Sequence, residues 1–152
     1  MPSRPVVLIT GAARRIGRAI ALDLAAHGCD IALHCHVASA EASATLAELR
    51  GLGARAEVFA ADLSDEAGTR ALLPAVAQAF GRVDALVNNA SRFTYDDAAS
   101  FGHAEMQAHW RINTAAPILL AQALHAHLVA RDAQGCVVNL LDQKLWNPNP
   151  DF

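Results

Sequence analysis

Short apolar runs alternate along the chain with longer segments in which apolar residues recur at helical spacing. The runs are rich in β-branched residues and stop at small or polar positions, which predicts five strands, at residues 6–9, 31–35, 56–60, 83–87 and 136–140. The longer segments predict helices at residues 15–27, 40–50, 64–80 and 104–130, with Ser64 as the N-cap of the third helix. Strands that alternate with helices of this length predict an α/β fold, a doubly wound parallel sheet with helices on both faces.

The end of the chain predicts an unfinished sheet. After the fifth predicted strand, the segment 147–152 is turn-forming and carries no further helix or strand. A doubly wound sheet that stopped there would leave one face of its last strand bare. We therefore expect residues 1–152 to form one incomplete domain, truncated after the fifth strand.

Composition limits the classes of partner. The 152 residues are 53% hydrophobic and 18% charged, which suits one compact domain, and 12 basic against 15 acidic residues give a net charge of −3. No basic stripe is present, so we expect no nucleic-acid partner. Every uninterrupted apolar run is shorter than about 18 residues and the amino terminus does not resemble a signal peptide. We therefore expect no membrane contact and a cytoplasmic location.

The three cysteines predict no disulfide. Cys29, Cys35 and Cys136 form an odd set without paired spacing. Two of them lie in apolar strand-like runs, so we expect buried free thiols in a reducing compartment.

The first predicted strand leads into a glycine-rich turn at residues 10–17, which reads Thr-Gly-Ala-Ala-Arg-Arg-Ile-Gly. Ligands of open α/β sheets bind beyond the carboxyl ends of the strands. Gly11 permits a tight turn and close approach of the backbone to a phosphate, Gly17 lets the helix pack near the strand, and the helix N-terminus offers free N–H groups to an anion. The turn therefore predicts a phosphate-binding site, with a plain turn of small residues as the alternative.

The end of the second predicted strand indicates the type of cofactor. An Asp or Glu there would bind the ribose 2′-hydroxyl of NAD and repel the 2′-phosphate of NADP. This strand ends with His34 and His36, no carboxylate follows before Glu41, and Arg14 lies in the neighbouring turn, so we predict NADP(H). As a zinc pair, the two histidines lack a further ligand at suitable spacing, and we predict no metal site.

Polar residues follow the other predicted strands. Asp62 follows the third, Asn89 the fourth and Asp142 the fifth. Each of these residues also has a purely structural interpretation. Asp62 could stand as a carboxylate at the entry to a helix, and Asp142 could be a solvated residue at a strand end. For Asn89, support of the neighbouring backbone is enough to explain the residue.

The long predicted helix contains Asn113 four residues before Pro117. Proline has no N–H, so it cannot donate to the carbonyl of Asn113, which predicts a carbonyl without its helical partner. The alternative is an ordinary proline kink with a solvent-facing asparagine.

These motifs resemble the short-chain dehydrogenase/reductase family, which has a Rossmann-type fold. Its turn pattern is Thr-Gly-x-x-x-Gly-x-Gly, and Arg15 stands here in place of the middle glycine. The turn is similar to that of the pteridine reductases, in which the arginine reaches toward the cofactor phosphates, whereas the Arg-Ser that follows the histidines in those enzymes is Val37-Ala38 here. The resemblance implies that Asp62 contacts adenine, and it assigns cofactor binding to Thr10, Gly11, Arg14, Arg15, Ile16, Gly17, His34, His36, Asp62, Asn89 and Ala90.

The resemblance also implies substrate and catalytic residues. Ser91 and Phe93 match the pteridine reductase segment in which a phenylalanine stacks on the pterin ring, with a core Phe as the alternative. Asn113 matches the asparagine that distorts its helix and holds a water of the proton relay. Asp142 stands where the family has its catalytic serine and where pteridine reductases have aspartate.

One part of the family's chemistry is absent from these residues. The family needs a tyrosine with a lysine four positions later, whereas Tyr95 is followed by Ala99 and Lys144 is preceded by Leu140. The resemblance therefore implies the amino-terminal part of an NADPH-dependent reductase that transfers hydride to a pterin-like C=N bond or a carbonyl, and that forms homo-oligomers when complete. The alternative is a catalytically inactive nucleotide-binding module.

Overall fold

A five-stranded, all-parallel sheet with the order β3-β2-β1-β4-β5 forms the centre of the computed structural model, which describes residues 4–95 and 97–146. The strands are β1 (Val6–Ile9), β2 (Asp30–Cys35), β3 (Ala56–Ala60), β4 (Ala85–Asn88) and β5 (Cys136–Asn139). The helices are α1 (Arg15–Ala26), α2 (Ala40–Gly51), α3 (Glu66–Phe80), α4 (His103–Trp110) and α5 (Ala116–Ala130). The doubly wound α/β fold is confirmed; the predicted turn at 147–152 lies outside the described residues.

Helices cover both faces of the sheet because side chains of β1 alternate between two hydrophobic cores. Val7 and Ile9 belong to the core that includes α1 and α2, whereas Val6 and Leu8 belong to the core that includes α3 and α5. All four residues of β1 are buried, as a central parallel strand requires. By contrast, all four residues of β5 are exposed among the described residues, whereas we expected only one face of the last strand to be bare.

The start of α3 corrects one predicted boundary. The helix begins at Glu66, and its N-cap is Asp65, whose carboxylate accepts the Gly68 N–H at 2.8 Å, rather than Ser64. The backbone N–H of Ser64 donates to Asp62 Oδ1 at 2.8 Å. This Asx turn places Ser64 before the helix.

The predicted helix at 104–130 is interrupted. A π-helical turn, Arg111–Ala115, separates α4 from α5, and the Ala116 N–H donates to the carbonyl of Arg111 five residues earlier. Pro117 lies just beyond the turn, in the first turn of α5. The widened turn accommodates Pro117, which has no N–H to donate to the carbonyl of Asn113 four positions earlier.

The segment His103–Ala130 is 28 residues long and meets the length and composition criteria for a membrane span, which the count of uninterrupted apolar residues did not predict. A single helix of this kind is weak evidence for a membrane. In this fold α5 places Leu120 and Leu124 in the core beside α3.

The cysteines are only partly as expected. All three are free thiols and Cys35 is buried, but Cys29 is half-buried and Cys136 is exposed. The expectation for Cys136 was wrong because all four residues of β5, Cys136 among them, are exposed.

A charged cluster ties the sheet together at the end opposite to the strand ends that carry the predicted site. Asp84 is 9% exposed and accepts hydrogen bonds from Arg82 at 2.7 and 2.8 Å, from the Val6 N–H at 2.8 Å and from Arg131 at 3.1 Å. Burial acts in the opposite direction, but these donors hold the pKa of Asp84 below its ordinary value. β4 begins just after this cluster, at Ala85 rather than at the predicted residue 83.

Candidate functional site

A cleft of about 1910 Å³ lies at the carboxyl ends of the strands. It exceeds the roughly 300–1,000 Å³ of a pocket for one small ligand. It brings together all but one of the predicted site residues, namely Gly11, Arg14, Arg15, Ile16, Gly17, His34, His36, Asp62, Asn89, Ala90, Ser91, Phe93, Asn113 and Asp142. Thr10, which is 1% exposed, lies behind the cleft wall.

The glycine turn, residues 10–17, depends on two glycines for different reasons. Gly11 has a φ of +65°, in the left-handed region that favours glycine. Gly17 has no room for a side chain, since a Cβ atom would lie 2.4 Å from the carbonyl oxygen of Gly11 and 2.5 Å from Asn89 Nδ2. The first turn of α1 therefore packs directly against the Gly11 carbonyl.

Asn89 and Thr10 brace this turn from behind. Asn89 Nδ2 donates to the carbonyl oxygens of Thr10 at 2.8 Å and Gly11 at 3.1 Å. In return, Thr10 Oγ1 accepts the backbone N–H of Asn89 at 3.0 Å and of Ala90 at 2.9 Å. The Asn89 amide group and the Thr10 hydroxyl are thus used within the protein, which supports the backbone-supporting role allowed for Asn89.

The N-terminus of α1 suits an anion. Within the described part of the chain, Arg14 at the N-cap makes no side-chain cap hydrogen bond, and the first turn contains no acidic residue. The adjacent Arg15 and Ile16 are exposed on the cleft. Uncapped N–H groups beside two arginines fit the phosphates of a dinucleotide.

Arg15 occupies a strained backbone conformation. Its φ is +52°, and it stands where the family's turn pattern has glycine. A non-glycine residue costs about 1–2 kcal/mol in this region. Such strain is typical of functional sites.

His34 and His36 end β2 but differ in environment. His34 is 2% exposed, its Nδ1 lies 3.2 Å from the Gly11 amide nitrogen, and its Nε2 lies 3.0 Å from the carbonyl oxygen of Ala61. Burial lowers the pKa of His34, the carbonyl of Ala61 opposes that effect, and His36 adds to it. With both ring nitrogens engaged by the backbone, His34 supports the wall of the cleft rather than presenting a nitrogen to a ligand.

His36, by contrast, is exposed on the cleft and faces a carboxylate. Its Nδ1 lies 3.7 Å from Asp62 Oδ1. Hydrogen bonds from the backbone and side chain of Ser64, and to a smaller extent the charge of His36, lower the pKa of Asp62. Asp62 therefore stays ionised at the cleft edge. Its bond to Ser64 closes a turn before α3, whose N-cap is Asp65, so the adenine contact and the helix-entry role of Asp62 both stay predictions.

Residues 91–95, which we call the 91–95 loop, are fastened to the π-helical turn and to α4. Asn113 Oδ1 accepts the Arg92 N–H at 2.7 Å, and Asn113 Nδ2 donates to the Arg92 carbonyl at 2.9 Å. His109 Nε2 accepts the Thr94 N–H at 3.2 Å. Between these anchors, Phe93 is 70% exposed, so the alternative of a core phenylalanine is wrong.

The side chain of Asn113 has a role that its sequence position did not reveal. The predicted helix distortion is confirmed as a π-helical turn rather than an ordinary proline kink. Asn113 is exposed, as the alternative had it, but its side chain also makes two hydrogen bonds to the backbone of Arg92. The predicted role of Asn113 in a proton relay stays a prediction.

Asp142 lies at the far end of the cleft, beyond β5. It is exposed, and its Oδ1 accepts the Lys144 N–H at 2.9 Å, capping the short 3₁₀ turn Gln143–Leu145. This capping agrees with the alternative of a solvated strand end, and the catalytic role of Asp142 stays a prediction.

The sequence analysis missed three residues that shape the cleft. Asn88 donates to Asn139 Oδ1 at 2.8 Å and joins the ends of β4 and β5; Ser39 caps α2 by accepting the Ala42 N–H; His109 holds the 91–95 loop. Asn88 was detectable as the first of two adjacent asparagines, and Ser39 as a cap, but no sequence signal marked His109. Among the residues described, no three His, Cys, Asp or Glu side chains are grouped to hold a metal ion.

Comparison with known proteins covers most of the chain. The profile of a family described as short chain dehydrogenase matches residues 5–144. The chain is 31% identical over 135 residues to 2-dehydro-3-deoxy-D-gluconate 5-dehydrogenase of Escherichia coli K12, an alignment that covers 89% of this chain and 52% of that protein. It is 28% identical over 132 residues to an L-rhamnose 1-dehydrogenase (NAD(P)(+)) of a Sphingomonas strain, and this alignment covers 87% of this chain and 52% of that protein.

Solved structures show the same relationship. FolM alternative dihydrofolate reductase 1 from Brucella suis, crystallised in complex with NADP, superposes with a TM-score of 0.87 and 37% identity, covering 96% of this chain and 60% of that one. Acetoin dehydrogenase YohF from Salmonella typhimurium superposes with a TM-score of 0.90 and 29% identity, covering 97% and 58%. The chain therefore spans about half the length of the curated relatives it matches and about 60% of the solved structures.

Proposed function

Because the chain belongs to the short-chain dehydrogenase family, we propose that it supplies the dinucleotide-binding part of an NADPH-dependent reductase. The observation that carries this proposal is the uncapped N-terminus of α1, with Arg14 and Arg15 beside it in a cleft at the strand ends. When bound there, the cofactor supplies a hydride. The chain's own residues bind the phosphates of the cofactor, orient the cofactor and the substrate, and hold the 91–95 loop.

The preference for NADP(H) over NAD(H) is supported at the end of β2. No carboxylate follows β2 in the sequence before Glu41, and His36 and Arg14 line this part of the cleft. Val37, which is 64% exposed, takes the place of an arginine of the pteridine reductases, so the proposed preference is moderate. Asp62 takes the adenine side of the same site. The NADP in the Brucella relative supports the choice.

A pterin-like C=N bond is the substrate group that the 91–95 loop supports best, with a carbonyl as the other possibility. Phe93 presents an exposed aromatic ring, and Ser91 offers a hydroxyl beside it, which suits a flat heterocycle with polar edges. The relative described as an alternative dihydrofolate reductase points the same way. Asp142 and Asn113 would orient and support the proton donor.

The proton donor itself is absent from these 152 residues. No Tyr-x-x-x-Lys pair occurs in them, and the chain corresponds to the N-terminal part of its structural relatives. We therefore propose that the tyrosine and lysine belong to a longer form of the protein, which works as a cytoplasmic homo-oligomer on a small molecule. The phosphate-binding turn and the cleft would equally serve a second candidate function, a nucleotide-binding module without catalysis.

Direct titration tests the cofactor proposal. NADPH fluorescence should report binding to the protein, with NADH binding several-fold weaker; equal affinities would refute the NADP(H) assignment, and no binding of either would refute the dinucleotide site. Mass spectrometry of the protein from its native source then separates the two functions. A native mass of 16.0 kDa would favour the module, whereas a larger protein that oxidises NADPH when given a dihydropterin would support the reductase.

A further inference from the structure

The hydrogen bonds of His34 define one state of its ring. A backbone N–H can only donate, so Nδ1 must accept the hydrogen of Gly11. A carbonyl oxygen can only accept, so Nε2 must donate to Ala61. The ring is therefore neutral with its proton on Nε2, and a protonated ring would lose the acceptor for Gly11.

The ring connects the ends of three neighbouring strands. His34 is the penultimate residue of β2, Gly11 is the second residue after β1, and Ala61 directly follows β3. The backbone of the same residue makes a separate tie, since the His34 carbonyl accepts the Ala12 N–H at 2.9 Å. The turn is thus already attached to β2 without the ring. The ring adds a hydrogen bond that fixes the position of the Gly11 amide.

The position of Gly11 matters because the first turn of α1 packs on its carbonyl. That carbonyl accepts from Asn89 Nδ2 at 3.1 Å, and Gly17 approaches it too closely for any side chain. His34 holds the amide of Gly11 on one side and Asn89 holds its carbonyl on the other. Displacing Gly11 would therefore displace the N–H groups of α1 that face the cleft.

We propose that His34 is a positioning residue for dinucleotide binding, which acts through Nδ1 by holding Gly11, and not a residue that touches the cofactor. The inference rests on the proposed function and deepens it. It also means that the Gly11 N–H is occupied by His34, so that phosphate binding falls to the N–H groups at the start of α1.

The ring state can be measured without any ligand. Long-range ¹H–¹⁵N correlation spectra of the uniformly labelled protein distinguish a bare ring nitrogen from a protonated one. We expect an unprotonated, hydrogen-bonded Nδ1 and a protonated Nε2 for His34. A proton on Nδ1 would overturn the proposal, whatever the protein binds.

Two substitutions separate the two hydrogen bonds. In His34→Asn, the amide oxygen lies near the place of Nδ1 and keeps the acceptor for Gly11. In His34→Gln, the amide nitrogen lies near the place of Nε2 and keeps the donor to Ala61. His125→Gln, on the exposed face of α5, is the control for loss of an imidazole.

We expect His34→Asn to bind NADPH within about threefold of the wild-type affinity. His34→Gln should bind NADPH about tenfold more weakly, because the backbone N–H of Gly11 loses its acceptor in this variant. Equal affinities of the two variants, or a weaker His34→Asn, would overturn the proposal. If neither variant folds, the ring state and the amide shift of Gly11 in the wild-type protein decide it. Failure of the wild-type protein to bind NADPH would instead refute the proposed function, while the ring measurement would still report on His34.

Discussion

The side chain of Asn113 holds the backbone of Arg92 at two points, accepting its N–H at 2.7 Å and donating to its carbonyl at 2.9 Å. The two residues are 21 positions apart, and the π-helical turn Arg111–Ala115 brings them together. A helical residue thus fixes the loop that carries Phe93. The widened turn is a positioning device for the 91–95 loop as well as an accommodation of Pro117.

Replacing Asn113 by alanine should free the 91–95 loop. Both hydrogen bonds to Arg92 disappear, so we expect the protection of the Arg92 amide against hydrogen exchange to fall by about tenfold, with NADPH affinity unchanged. Amide exchange measured by NMR checks this. Gln107→Ala, at an exposed position of α4, is the control, and unchanged protection in Asn113→Ala would show that other contacts hold the loop.

Replacing Arg15 by glycine should stabilise the protein and weaken cofactor binding. Relief of a left-handed φ is worth roughly 1–2 kcal/mol, against roughly 0.5–1 kcal/mol for the greater freedom of glycine in the unfolded chain. We therefore expect the free energy of unfolding to rise by about 0.5–1 kcal/mol and the Kd for NADPH to rise about tenfold.

Urea unfolding and NADPH titration measure the two effects of Arg15→Gly. Arg14→Ala is the matched control, because Arg14 has an extended backbone with a φ of −154° and carries the same charge. It should weaken binding without any gain in stability. A loss of stability in Arg15→Gly would contradict the strain argument.

Replacing Val37 by arginine should strengthen the preference for NADPH. Val37 lies on the cleft directly after His36 and is 64% exposed, so a longer side chain meets no packing barrier. A guanidinium beside a 2′-phosphate should lower the Kd for NADPH about fivefold without changing that for NADH. Val37→Gln, which adds a longer polar side chain without a charge, is the control and should change neither Kd. An equal fall in the Kd for NADPH and for NADH would show that the arginine does not lie beside the 2′-phosphate.

Replacing Asp84 by asparagine should destabilise the fold without changing the site. The carboxylate is 9% exposed and pairs with Arg82 and Arg131, so asparagine removes the negative charge from both of these partly buried ion pairs. We expect the free energy of unfolding to fall by about 3 kcal/mol. Glu57→Gln, which breaks the exposed pair with Arg55, should cost less than about 1 kcal/mol. Similar falls in the free energy of unfolding of the two variants would contradict the argument that the buried ion pairs of Asp84 stabilise the fold more than an exposed pair does.

Stability should fall with acid in two stages. The pKa of His34 is lowered by burial from 6.5, so the stability it contributes is complete above pH 6.5 and is lost as the pH falls through its folded pKa. His127, whose pKa is lowered by burial and Arg131, acts in the same window. Asp84, held below 3.8 by its donors despite burial, contributes stability above pH 3.8 that is lost in stronger acid.

Urea unfolding between about pH 7.5 and pH 3 should resolve both stages. His34→Asn should reduce the first stage to the part that His127 contributes and leave the second in place. A free energy of unfolding that stays constant from pH 7.5 to pH 5 would show that His34 is not held neutral in the folded protein.

The positions of the strands and helices were predictable because each depends on local pattern. The apolar run of β1 and the glycines of the turn at 10–17 are visible in the residues themselves, and the residues at the strand ends must meet at one edge of a parallel sheet. The N-cap of α3 was not predictable, because Ser64 and Asp65 are both good N-cap residues, and only the folded backbone brings the Asp65 carboxylate to the N–H of Gly68.

The roles of His34 and Asn113 show where sequence information ends. Both stand where a ligand contact was predicted, and both lie on the cleft. Their side chains, however, bind backbone atoms 21 to 27 positions away, at Gly11, Ala61 and Arg92.

The sequence by itself therefore determined the order of elements and the edge of the sheet that carries the site, and all but one of the site residues it predicted line the cleft. Hydrophobic periodicity and turn chemistry act over a few residues, and one chain is enough to see them. Only the tertiary structure decided which of those residues face a ligand and which brace the walls. Hydrogen-bond partners that are distant in the chain are brought together only by the folded sheet and its helices.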